Sequence, residues 1–91
     1  MLNEPFPVPF IAREQYETFR ALKGTDLPDT YDVWLQLHTK QKVERGRIGY
    51  DVKEIRINPD EFTRFYTSRR IAPNLKTLAD FSAEKFAGNS Y

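Results

Sequence analysis

The stretch Pro5-Phe6-Pro7-Val8-Pro9-Phe10-Ile11 sets a proline at every second position. Each pyrrolidine ring fixes its own φ and pushes the preceding residue toward extended geometry, so the segment reads as extended chain. Proline has no N–H to give to a β-ladder. The segment can therefore serve as a strand only at the edge of a sheet, with the missing donors facing outward. Val8, Phe10 and Ile11 give it something to bury. The only convincing strand is Ile48 to Ile57. Tyr50 and Val52 lie on one of its faces, Ile55 and Ile57 on the other. The switch near Lys53-Glu54 implies either a bulge or a strand buried on different faces at its two ends. A lone strand cannot satisfy its own backbone, and segment 6–11 is the local partner on offer. With two helices between them, antiparallel pairing is the simpler path. Otherwise the partner comes from another chain.

The intervening helices follow from periodicity. Tyr16, Phe19 and Leu22 recur at helical spacing, Glu14 and Glu17 suit a first turn, and Gly24 is a stop signal, which gives a helix over 13–23. Thr25 to Thr30 forms a turn with Asp29 or Thr30 as the next N-cap. The second helix runs to about Arg45, where Gly46 ends it. Its stripe is Tyr31, Trp34, Leu35 and His38, and the polar residues beyond 38 are expected to project into solvent. After the strand, Asn58-Pro59-Asp60-Glu61 combines an N-cap, a proline at the first helical position and a capping-box acid. That starts a third helix over 59–69, burying Phe62, Phe65 and Tyr66. Asn74 caps a fourth, 75–87, with Leu75, Leu78, Ala79, Phe81 and Phe86 as core positions and Gly88 as its stop. The expected fold is α+β and mostly helical. It has about four helices, one short two-stranded antiparallel sheet and a single domain over 1–91, with an extended segment at 1–9 and a frayed tail at 88–91.

Composition narrows the function classes. A chain of 91 residues with seven Phe, five Tyr and one Trp is one small domain whose aromatics supply a large buried area per residue. It has no cysteine, which excludes disulfides, thiolate metal sites and cysteine nucleophiles. No apolar run approaches the roughly 20 residues that cross a bilayer, and the N-terminus lacks the basic and apolar regions of a secretory signal. A cytoplasmic protein is the expectation. Net charge is +1 overall, but residues 1–39 carry −3 and residues 40–76 carry +5. That asymmetry is modest for a dedicated nucleic-acid binder.

Few residues carry candidate chemistry. His38 is the single histidine and lies on the apolar stripe of its helix with no ligand-spaced acid beside it. A buried structural role is expected, with no catalytic, cofactor or metal site. Asp26, Asp29, Asp32, Asp60 and Glu61 sit at helix starts, where unpaired backbone N–H groups favour negative side chains. Between Phe62 and Ala79 lie four basic residues and no acid. Helices three and four could form a helix-turn-helix, with Lys76, Thr77 and Asp80 toward a major groove, Arg69 and Arg70 on phosphates, and Tyr66 at the rim. Against this, cations at a helix C-terminus are expected on electrostatic grounds alone. A second basic cluster (Lys40, Lys42, Arg45 and Arg47) reads as a solvated helix end.

The leading expectation is a small non-enzymatic interaction module. Its partner is a protein or a second copy, joined through strand 50–57 or an exposed aromatic patch. The alternative is a nucleic-acid binder that uses Arg64, Arg69, Arg70, Lys76 and Thr77. No membrane partner is expected. The phrases Asp26-Leu-Pro-Asp-Thr-Tyr-Asp-Val-Trp-Leu35, Pro59-Asp-Glu-Phe62, Pro73-Asn-Leu75 and Ala83-Glu-Lys85 resemble those of short uncharacterised bacterial proteins. The resemblance spans residues 10–87. It implies a compact intracellular domain and brings no activity, cofactor or functional residue.

Overall fold

The computed structural model describes residues 3–88. Strand β1 (Pro5–Phe10) leads through a 3-10 turn (Arg13–Gln15) into a short helix α1 (Tyr16–Arg20). Helix α2 (Tyr31–Arg47), strand β2 (Asp51–Arg56), helix α3 (Pro59–Arg69) and helix α4 (Leu75–Phe86) follow. The fold is α+β and mostly helical, with four α-helices and a two-stranded sheet among the described residues. Residues 89–91, most of the expected frayed tail, lie outside the described chain.

The strands run parallel, with Pro5 beside Asp51 and Phe10 beside Arg56, which corrects the antiparallel expectation. The reason is the unequal span of the two helices between them. At about 1.5 Å per residue α1 is under 8 Å long, whereas α2, with 17 residues, covers about 25 Å. Only α2 is long enough to carry the chain back along a six-residue strand, which spans about 20 Å. One traverse returns the chain to its starting end, so β2 leaves in the direction of β1. The first helix is also shorter than expected, because it begins as a 3-10 turn (Gln15 N–H to Ala12 O) and relaxes into i→i−3 bonding at Leu22. Gly24 follows with φ +93°, its open side against Ala72 and Pro73.

Pairing in the sheet is regular, residue for residue, so the phase switch in β2 is not a bulge. It marks a strand half-buried on different faces at its two ends, through Val52 and Ile55. Beyond the strands, Ile11 and Ile57 are fully buried and enter the core with Tyr16, Phe19, Trp34, Phe62, Phe65, Leu78 and Phe81. The polar tips of the aromatics are satisfied: the Tyr16 hydroxyl donates to Pro28 O and the Tyr31 hydroxyl to Ile11 O.

Caps explain the helix limits. Thr30 Oγ1 accepts from Val33 N–H, Asn58 Oδ1 from Asp60 and Glu61, and Asn74 Oδ1 from Thr77. Gly46 does not end α2. The helix passes through it, and Gly49 closes it with φ +106° while Tyr50 N–H reaches back to Arg45 O. The same closure ends α3, yet there the left-handed position is filled by Arg70 (φ 56°). In α4 the buried face is Thr77, Leu78, Phe81 and Ser82, while Leu75, Ala79 and Phe86 are exposed. The expected stripe was rotated because two hydroxyl residues turn inward. Thr77 Oγ1 donates to Ala72 O and Ser82 Oγ to Ala79 O, so each enters the interior with its proton satisfied.

Candidate interaction edge of the sheet

The ladder fixes which backbone groups face which way. Asp51 N–H donates to Glu4 O and Ile57 N–H to Phe10 O. With the parallel register, the even-numbered residues of β1 therefore face the odd-numbered residues of β2. Pro5, Pro7 and Pro9 occupy the outward positions of β1, where no donor is needed. Val52, Glu54 and Arg56 occupy the outward positions of β2, each with an N–H and a C=O. Among the described residues no turn, cap or loop bond engages these groups. None of the six residues of β2 is buried.

Helix α2 lies over the even-numbered side of the sheet, and α4 packs against β1 and reaches β2. On the even-numbered side Val8 is fully buried, and Phe6, Phe10 and Glu54 meet α2. On the odd-numbered side Pro5, Asp51 and Lys53 are exposed, and Pro7, Pro9 and Ile55 are half-buried.

The last turns of α2 are exposed at Thr39, Lys40, Glu44 and Arg47, as expected, but on the sheet side Lys42 and Arg45 are half-buried and lie back over the strands. The Arg45 guanidinium sits 4.7 Å from the centre of the Phe6 ring. Lys42 Nζ donates to Glu54 Oε1, and His38 Nε2 lies 3.7 Å from the same oxygen. His38 is buried, stacked on Trp34 at 4.9 Å and tilted against Phe10. Its Nε2 has no hydrogen-bond partner. Burial holds the His38 pKa below the ordinary 6.5, and Glu54 opposes this only in part. The Lys42 hydrogen bond holds the Glu54 carboxyl below its ordinary range. The arrangement keeps a neutral imidazole beneath an ionised carboxylate at the sheet surface. Sequence spacing gave no sign of it, since Lys42 and Glu54 lie 12 residues apart on different elements.

The other sequence-level candidates are scattered. Arg69 is paired with Glu84 and lies over the Phe65 ring. Arg64, Arg70 and Lys76 are exposed, and Arg70 takes up the left-handed closure of α3. Thr77 is buried, with its hydroxyl and N–H both engaged inside the turn, so it presents nothing to a groove. Lys76 instead borders a 270 Å³ groove between α2 and α4, beside Leu37 and Leu75. The acids behave as helix-start residues in a wider sense than expected. Asp26 Oδ1 accepts from Leu75 N–H at the start of α4, Asp32 pairs with Arg13, and Glu61 with Lys85.

Among the described residues no three His, Asp or Glu side chains converge as a metal site, and no helix is long and apolar enough to cross a membrane. Comparison of the chain with protein-family models, curated proteins and solved structures finds no match, so the geometry alone bears on function.

Proposed function

We propose that this chain is a small non-enzymatic interaction module that accepts an extended segment of a protein partner along the outer edge of β2. The observation that carries the reading is the set of outward N–H and C=O groups at Val52, Glu54 and Arg56, on an exposed strand with no covering element bonded to it. Strand addition supplies affinity through main-chain hydrogen bonds and specificity through alternate side chains. No observation of comparable weight favours nucleic acid: of the five basic-stretch residues, one is inside and one is held by an acid.

The test is photocrosslinking in cells expressing the full chain. A photoreactive residue is placed at Arg56 on the β2 edge, and at Pro7 on the β1 edge as a control. An adduct from position 56, whether to another protein or to a second copy, is expected, with loss of it when Val52→Pro and Glu54→Pro remove two outward donors. No adduct from 56, or an equal one from 7, would contradict the reading.

A further inference from the structure

We infer that the strand received by β2 is β2 of a second copy, paired antiparallel with Ile55 on the twofold axis. The inference rests on the proposed strand addition and deepens it by naming the partner and the register. Two identical strands joined edge to edge by a closed twofold must run antiparallel. An axis falling between residues would set outward groups against inward ones, so the axis passes through a residue.

Charge then selects among the possible centres. An axis at Lys53 puts Lys53 against Lys53 of the partner subunit. An axis at Glu54 or at Arg56 likewise opposes like charges, which is destabilising for residues directly across a sheet. An axis at Val52 avoids this, but it requires Tyr50 N–H, which is already given to Arg45 O, and extended backbone at Gly49, whose φ is +106°.

The axis at Ile55 opposes no like charges and needs neither the Tyr50 N–H nor extended backbone at Gly49. It brings Ile55 against the partner's Ile55. It sets Glu54 opposite the partner's Arg56, and Arg56 opposite the partner's Glu54, so one opposite-charge contact is made twice. Both side chains lie at the surface, Glu54 at 36% and Arg56 at 63% exposure, and each would extend an existing ion pair, Glu54 with Lys42 and Arg56 with Glu14, across the new ladder. The chain continues extended through Asn58, so Lys53 to Ile57 can all lie in the new ladder. The product is a four-stranded sheet in the order β1-β2-β2-β1, with the proline-bearing strands at both outer edges and no unpaired donors left on them. Pairing through β2 thereby closes the open edge and leaves only edges that cannot propagate.

The absence of cysteine from the sequence makes the register directly readable. At a non-hydrogen-bonded antiparallel pair the Cα atoms are about 4.5 Å apart, within disulfide range. Ile55→Cys in the full chain is expected to form an interchain disulfide under mild oxidation, and Lys53→Cys is not, since position 53 faces position 57 of the other copy. As a second line independent of the cysteine, Glu54→Arg or Arg56→Glu is expected to weaken dimerisation at least tenfold by light scattering. The double swap should restore it to within about threefold. Preferential crosslinking through Lys53→Cys, or no rescue by the double swap, overturns the register. A wild-type monomer at millimolar concentration overturns the second copy as partner. In that case a heterologous adduct from position 56 leaves strand addition standing, and the absence of any adduct removes both.

Discussion

Along the outer edge of β1 the three outward positions are Pro5, Pro7 and Pro9, while along the outer edge of β2 they are Val52, Glu54 and Arg56. The two strands are equal in length, share one ladder and meet helices from the same chain. They differ in what they offer a neighbour. The first edge has acceptors but no donors; the second has both. An edge strand with a full set of free groups invites pairing, and proteins ordinarily blunt such edges with proline, charge or cover. This chain blunts one edge completely and leaves the other open, with only charge to discourage an incorrect partner. That asymmetry is the ground for the proposal that a partner strand adds to the open edge.

The largest effect expected removes the platform under both edges. Trp34 is buried, packs on Tyr16, Tyr31 and Phe10, and carries His38 on its ring. Trp34→Ala should cost about 3–5 kcal/mol and abolish any association, as read by chemical denaturation and light scattering. A small change in stability would mean that the sheet does not depend on α2.

A proline placed on each strand sharpens the contrast. Val8→Pro deletes an inward donor and a fully buried side chain, and should cost about 3 kcal/mol or more. Val52→Pro deletes an outward donor, and should leave stability within about 1 kcal/mol of wild type while weakening partner binding. Equal costs at both sites would show that the outward groups are already bonded within the chain.

His38 ties the covered face to pH. Its folded-state pKa is depressed, so the unfolded chain binds its proton more readily. The stability this contributes is present above 6.5 and is lost as pH falls below that value through the folded pKa. Glu54, also depressed, contributes stability that is present above its ordinary 4.5 and lost at lower pH. Denaturant midpoints should therefore decline on acidification from about pH 6.5, and His38→Gln should flatten the first part of that decline. An unchanged slope in His38→Gln would mean that the imidazole is not the group being titrated.

The smallest effect lies away from both edges. Arg70 holds a left-handed backbone that glycine adopts at no steric cost, so Arg70→Gly should raise stability by about 1 kcal/mol in denaturation. Partner binding should not change. Loss of binding in that variant would bring the basic stretch back into consideration.

Much of the fold was legible because it rests on local chemistry. The alternating prolines marked an edge strand with outward gaps, and the ladder places them there. Asn58, Pro59 and Asn74 marked helix starts through capping bonds that span only two or three residues. Strand direction was not legible, because it depends on which helix traverses the sheet, and α1 shrinks to a turn and five residues. The docked half of α2 was hidden for a related reason. Lys42 and Arg45 read as polar, yet their stems and charges reach Glu54 and Phe6, and hydropathy does not register such contacts. Charge density drew attention to Arg69 and Arg70, whereas the candidate edge is a property of backbone phase. That phase can be set only once the register is known.

Residue-resolved amide hydrogen exchange at two protein concentrations tests the central claim most directly. The account predicts slow exchange at Lys53, Ile55 and Ile57 in dilute and concentrated samples alike, since those N–H groups face β1. Val52, Glu54 and Arg56 should exchange fast when dilute, with Glu54 and Arg56 slowing as the concentration rises. Slow exchange at all three in the dilute monomer, or fast exchange at Lys53 and Ile55, would contradict it.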